Sequence, residues 1–259
     1  MRRYHLIEFE DLEKFPEKVR NGITDYLRFF ISLIRLYSPV AEMLKEYMAK
    51  SGKTEILDLC SGGGGATMQV ISKLDRITGK KHKVIQSDKF PNLESLEYIK
   101  HKTGGRIDFF EKSVDAMNVP KELDGFRTIF SSFHHFDKNS AVKVLQNAVD
   151  SNAPIGIFEA AERKWLYIFG VLLSTPIFTF ACSLFFKPFK WSRVFYTYII
   201  PLIPFFALSD GIVSMLRIYN PEELIELTKL TTSKNYIWKS GTIKNKLGTK
   251  VTYLVGYHE

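Results

Sequence analysis

The decapeptide Ile56-Leu57-Asp58-Leu59-Cys60-Ser61-Gly62-Gly63-Gly64-Gly65 constrains the fold of this chain more than any other stretch. An apolar strand carries an acid near its end and runs straight into a glycine-rich turn. Glycine is needed where backbone turns tightly or approaches another group closely, because a Cβ would collide there. The carboxylate of Asp58 sets the loop apart from a phosphate cradle, since it would repel a pyrophosphate. It suits a ligand with a cationic or hydroxylated part instead.

From residue 55 to residue 159 the sequence alternates between strand-like and helix-like stretches. Strands are expected at 55–59, 83–87, 107–111, 128–131 and 155–159, with helices at 66–74, 92–102 and 140–149 between them. Such alternation implies parallel strands joined by right-handed crossovers, with ligands at the carboxyl ends of the strands. Upstream, Leu27, Phe30, Ile31 and Ile34 recur at helical spacing, and Val40, Met43, Leu44, Tyr47 and Met48 repeat the pattern. Ser38-Pro39 reads as an N-cap followed by proline in the first turn of the second helix. Downstream, Asn220-Pro221-Glu222-Glu223 reads as a capped helix start. Two β-type runs, 236–243 and 251–257, flank the turn-forming Asn245-Lys246-Leu247-Gly248 and predict an antiparallel hairpin. The expected fold class is α/β: a Rossmann-like, doubly wound, mainly parallel sheet with a C-terminal antiparallel hairpin, N-terminal helices and an apolar helical insertion. One domain is expected over 1–259, with a helical cover at 1–53, a ligand-binding core at 54–164, an apolar insertion at 165–209 and a completing helix and strands at 210–259.

The formal net charge of +8 and a pI near 9.3 permit nucleic acid, anionic membrane or acidic substrates as partners without choosing among them. The two cysteines, Cys60 and Cys182, lack metal-ligand spacing, so neither a disulfide framework nor a metal site is expected and a reducing cytoplasm fits. The first residues carry Glu8, Glu10 and Asp11 and no apolar core, unlike a secretory signal.

With these elements in place the chain resembles the class I S-adenosylmethionine-dependent methyltransferases. The resemblance covers residues 54–163 closely and 220–257 loosely. The family's first motif, an acid followed by Gly-x-Gly-x-Gly, matches Asp58-Leu59-Cys60-Ser61-Gly62-Gly63-Gly64, with Cys60 in place of the first glycine. Its second-strand acid matches Asp88, beside Lys89. Its Asp-Ala pair matches Asp115-Ala116, and its fourth-strand end matches Phe130-Ser131-Ser132-Phe133-His134-His135-Phe136. The resemblance implies S-adenosylmethionine as cofactor. Its methionine part would be held by Asp58, Cys60, Ser61, Gly62 and Gly64, its ribose by Asp88, and its adenine by Asp115 and Ala116, with Ser131 and Ser132 nearby. Two carboxylate oxygens match a vicinal diol.

A nicotinamide-binding Gly-x-Gly-x-x-Gly would begin at Gly62 and need glycine where Thr67 stands, so that reading fails. A flipped-base enzyme would carry an Asn-Pro-Pro-Tyr-like tetrad where this chain has Ser-Phe-His-His, so nucleic acid is not expected as a partner. His134 and His135 are candidate catalytic bases, because imidazole titrates near neutral pH. Positioning alone can also carry methyl transfer, and either ring can instead pack against the cofactor or a loop. Glu159 and Arg163, just past the fifth strand, lie where they could face a substrate or form a surface salt bridge, and Asp210, Arg217 and Tyr219 are polar positions where the chain re-enters the core after the apolar run.

Residues 165–186 carry no charge, and a second apolar run follows at 194–208 after Lys187-Pro188-Phe189-Lys190-Trp191-Ser192-Arg193. The second run is short for a bilayer crossing and contains Pro201 and Pro204, so spanning is disfavoured. Two compatible readings stand: a lid enclosing an apolar acceptor, or a segment lying in a membrane interface with its cations on anionic lipid. The function expected is methyl transfer to a lipophilic or aromatic small molecule, in the cytoplasm or on the cytoplasmic face of a membrane. The alternative is a non-catalytic, membrane-associated binding or assembly protein on the same core.

Overall fold

Short apolar runs bounded by turns become the strands of a single sheet. In the computed structural model, which describes every residue except 234, 246 and 247, β1 (Ile56–Leu59), β2 (Val84–Gln86), β3 (Ile107–Phe109), β4 (Phe126–Phe130) and β5 (Ile155–Glu159) pair in parallel. β6 (Tyr236–Lys244) and β7 (Lys250–His258) form an antiparallel hairpin, and β7 pairs antiparallel with β5. The expected turn at Asn245-Lys246-Leu247-Gly248 lies in part outside the described residues. The sheet order is β3-β2-β1-β4-β5-β7-β6. Strand order reverses between β1 and β4, which opens a crevice at their carboxyl ends. β1, β4 and β5 are buried along their whole length because helices cover both faces, and Asp58, Arg127, Thr128 and Glu159 are buried with their apolar neighbours.

The covering helices follow from the same pattern. α1 (Glu17–Ile34), α2 (Val40–Ser51), α3 (Gly65–Thr78), α4 (Leu93–Lys102) and α5 (Lys138–Asp150) precede β5. Leu44, Val70 and Ile99 from α2, α3 and α4 close one face of the sheet. Val144 and Leu145 of α5 join Leu224 and Leu227 of a late helix on the other. Ser38 does not cap α2: its N–H donates to Arg35 O within a turn, and Pro39 occupies the cap position. The proline ring has no side-chain oxygen to accept from the N–H groups of the first turn.

The insertion forms α6 (Trp165–Cys182), α7 (Trp191–Val194), a π turn at Phe195–Ile199 and α8 (Leu202–Arg217). The apolar run from Trp191 bends by 79° at Pro201. Pro204 sits in the first turn of α8, where its missing N–H costs nothing. α9 (Pro221–Thr228) begins with the capping box: Asn220 Oδ1 accepts from Glu223 N–H at 2.7 Å, and Glu223 Oε2 accepts from Asn220 N–H at 2.9 Å.

Candidate functional site

The loop after β1 is shaped by left-handed backbone. Cys60, Gly62 and Gly64 have φ of 54°, 51° and 73°. Gly64 immediately precedes α3, and a Cβ there would lie 2.5 Å from the Gln86 amide. Gly63 and Gly65 answer a different need. Cβ atoms on them would lie 2.7 Å from Thr24 O and 2.6 Å from Arg28 Cα, both on α1. Half of the glycine run therefore makes the turn, and the other half admits a helix.

Two acids at strand ends hold the turn. Asp58 faces Thr128 across the β1–β4 ladder and accepts from its hydroxyl at 2.7 Å. Ser61 Oγ donates to its other oxygen at 2.8 Å, and the Thr67 hydroxyl donates there too. Burial pushes the Asp58 carboxyl up to about 6 against those bonds. Asp88 Oδ2 accepts from Gly62 N–H at 2.7 Å and Oδ1 from Phe90 N–H at 2.8 Å, and burial raises its carboxyl as well. Each oxygen of Asp88 keeps a lone pair for a further donor.

A cavity of about 480 Å³ lies over these groups. Asp58, Cys60, Ser61, Gly62 and Gly64 line it, as do Asp88, Lys89, Ser131, Ser132 and His135. Ser132 Oγ bridges Cys60 O and Phe130 O, joining the ends of β1 and β4. Ser131 adopts φ 45° and its hydroxyl is bonded to that of Tyr37. Burial raises the Cys60 thiol well above its usual range, so it is a filler and no nucleophile. Three expected residues stand outside the cavity wall. Asp115 accepts from Met117 N–H at 2.8 Å in a tight turn, which presents Met117 to the cavity instead. Ala116 is buried in the core between the sheet and α5. His134 is buried with Nδ1 2.9 Å from Glu159 Oε2, and its ring is turned away from the ligand space.

His135 does reach the cavity, but not as a free base. Its Nδ1 pairs with Asp11 Oδ1 at 2.7 Å, with Glu8 Oε2 at 3.4 Å. Burial works against the charged ring, yet Glu8, Asp11 and Glu10 outweigh it and carry the imidazole up to about 10. An imidazolium at neutral pH donates and cannot accept a proton. No local pattern in the sequence announces this N-terminal partner. Residues 5–7 and 10–12 line the cavity, and Arg217 from the end of α8 ties them down. Its Nη1 lies 3.1 Å from Glu8 Oε1 and 2.7 Å from Asp11 Oδ2, while Nε donates to His134 O at 3.1 Å. Asp210 accepts from the N–H groups of Phe9 and Glu10 at 3.0 and 3.1 Å. Glu10 is pushed up to about 8, first by burial and then by its acidic neighbours, with His135 opposing. Glu8, His134 and His135 bring ligand atoms within 4.8 Å of one another, but the Arg217 guanidinium already supplies the positive charge there. Arg163 lies apart from the cavity, paired with Glu223 at 2.6 Å.

The roof of the cavity is α1 together with the N-terminal segment. Thr24, Leu27, Arg28 and Ile31 of α1 face inward. The insertion does not close over the cavity as a lid. It packs on the outer side of α1, with Phe178 against Phe30 and Phe186 against Phe29. Only Arg217, at its far end, reaches the ligand space.

No family model and no curated protein sequence matches this chain. Solved structures do. The plantazolicin methyltransferase BpumL in complex with SAH is 13% identical, with a TM-score of 0.53 over 96% of this chain and 93% of its own. The CurJ carbon methyltransferase is 14% identical, with a TM-score of 0.51 over 86% of this chain and 54% of its own. A proposed O-methyltransferase from Nostoc punctiforme is 13% identical, with a TM-score of 0.50 over 90% of this chain. This chain spans 59% of that protein's length. The fold is that of the class I methyltransferases. At this identity the likeness concerns the fold, and the site must speak for the chemistry.

Proposed function

We propose that this methyltransferase-fold protein transfers a methyl group from S-adenosylmethionine to an aromatic or lipophilic small molecule. The observation that carries the reading is one cavity in which Asp58 and Asp88 flank a left-handed glycine turn. A sulfonium ligand is cationic and its ribose is a vicinal diol, so two carboxylates and open backbone suit it where a phosphate would be repelled. The turn from Cys60 to Gly64 would hold the methionine part, Asp88 the ribose, and Met117 the face of the adenine beside Asp115. Bound there, the cofactor supplies an electrophilic methyl group.

The chain's own residues then position the acceptor and manage its proton. Leu6, Ile7, Leu12, Leu27, Ile31 and Phe136 give the cavity apolar walls suited to an aromatic ring or alkyl chain. Alignment of acceptor and methyl group supplies most of the rate enhancement. His135, held as an imidazolium, orients a polar acceptor atom by donation. Glu10, which titrates near 8 and faces the same cavity, is the group able to take a proton close to neutral pH. A non-catalytic assembly role would leave the acid pair and the strained turn without a task.

Calorimetry of the folded protein with S-adenosylmethionine and with its demethylated product tests the reading. Binding is expected, with affinity reduced roughly tenfold or more in Asp88→Ala as charge-assisted hydrogen bonds are lost. No heat from either compound in a folded sample overturns it.

A further inference from the structure

The apolar insertion is built inside out. On α6 the buried side chains are Thr175 and Thr179, while Leu166, Phe169, Leu173 and Ile177 stand more than half exposed. Past α6, Ser183, Arg193 and Thr197 are buried beside Phe186, and Phe185, Trp191 and Ile199 are exposed. The inward groups other than the Thr197 hydroxyl are hydrogen-bonded within the chain. Arg193 Nη1 donates to buried Asp25 of α1 at 2.7 Å, its Nη2 donates to Phe186 O at 2.6 Å, and Tyr26 donates to Thr175 at 3.3 Å. In water a surface helix turns its apolar stripe inward and its polar stripe outward. The opposite arrangement is stable only where the surrounding medium is itself apolar.

We propose that the outer face of 165–205 is embedded in the hydrocarbon of a lipid bilayer, with the protein on one side of it. The helical stretch Trp165–Phe185 has 21 residues and a mean hydropathy of 2.0, and 17% of its window is buried by the rest of the chain. Its length is about 31 Å. It does not cross, because its far end is fastened to the body beside its near end's own domain. Lys190 Nζ pairs with Asp25 at 3.2 Å and with Glu94 at 3.0 Å, and Arg28 donates to Lys187 O. The arm therefore lies along the interface. A second copy of the chain fits less well, since protein interfaces carry hydrogen-bonding groups across the contact. The face from residue 165 to residue 186 has no charge at all, while Lys164 and Trp165 mark one end and Lys187 and Trp191 the other. Cations and tryptophans at the margins of an uncharged face match anionic headgroups above an acyl layer.

Membrane docking stands on the arm alone and methyl transfer on the cavity; together they make the acceptor a lipophile drawn from the bilayer. Flotation of the full chain with unilamellar phosphatidylcholine vesicles, with and without phosphatidylserine, tests the docking. The wild type is expected to float with both, more with the anionic set, and to stay bound at high salt. Brominated acyl chains should quench Trp165 and Trp191. The variant Leu166→Gln/Phe169→Gln/Leu173→Gln/Ile177→Gln, altered only at exposed positions, should bind vesicles about a hundredfold or more weakly as four apolar side chains leave hydrocarbon. Its circular dichroism and heat of S-adenosylmethionine binding should be unchanged. Equal flotation of variant and wild type, release of the wild type by salt, or a wild-type dimer in solution that the variant abolishes would each overturn the proposal. Loss of cofactor binding with flotation intact would instead count against methyl transfer.

Discussion

Gly65 and His135 show how single residues serve neighbours far away in sequence. Gly65 looks like the last residue of a ligand loop, yet its missing side chain makes room for Arg28 of α1. Gly65→Ala places a Cβ 2.6 Å from Arg28 Cα and 2.8 Å from Arg28 O, backbone that cannot rotate away. A loss of about 1–3 kcal/mol in chemical denaturation is expected, with weakened ligand binding as α1 lifts. His135 makes a pH prediction. Its folded value, about 10, lies above the ordinary 6.5, so the folded state holds the proton more tightly. That stabilisation is complete below 6.5 and is lost as pH rises through about 10. Glu10, raised from 4.5 to about 8, acts in the same direction over its own lower window. The melting temperature of the wild type should fall as pH climbs from neutral to 10. His135→Gln should flatten the upper part of that fall and, with the opposing charge gone, move the part due to Glu10 to higher pH.

At the scale of elements, α1 is the hinge of the architecture. One side rests on the glycine turn through Thr24 and Arg28, and the other receives the insertion through Gly22, Tyr26, Phe29 and Phe30. The Cβ-free Gly22 admits Ile203 of α8. Asp25 at its centre is fully buried and serves Arg193, Lys190, Arg28 and the Ser95 hydroxyl. Arg193→Met removes the nearest of three cationic partners of Asp25 and takes the buried donor away from the carbonyls of Ser183, Phe186 and Pro188. A destabilisation of about 3–5 kcal/mol is expected, and Asp25→Asn should cost less in that background than in the wild type. A double-mutant cycle measured by denaturation reads this directly. If the two changes were simply additive, the pair would not be what joins arm to body.

The molecule as a whole joins three contributions over one sheet: strand ends, an N-terminal strap and an outward-facing apolar arm. Ligand bound in the cavity touches the first two at once, so it should stabilise the entire fold by mass action. S-adenosylmethionine at about a hundredfold over its Kd should add about 2.7 kcal/mol. That corresponds to a rise in melting temperature of roughly 5–10 °C for a chain of this size. Differential scanning fluorimetry checks it, and an unmoved transition at saturating ligand would contradict the cavity assignment.

Much of this was legible in the text of the chain. Strand and helix alternation, the acid before the glycine turn, Asp88 at the second strand end, the capping box at Asn220 and the closing hairpin are local patterns. Each is set by backbone sterics or by a period of two or 3.6 residues, which neighbours in sequence suffice to write. Other features depend on residues far apart. Nothing near Gly63 or Gly65 announces α1, nothing near His135 announces Asp11, and Arg217 stands some 200 residues from the acids it holds. His134 and His135 read alike in sequence, yet one is locked on Glu159 and the other is charged by the N-terminal acids. The apolar insertion was visible as composition, but which of its faces turns outward was not. Composition counts apolar residues, whereas only packing against Asp25 and α1 decides that Thr175, Thr179 and Arg193 face in and Leu166, Phe169, Leu173 and Ile177 face out.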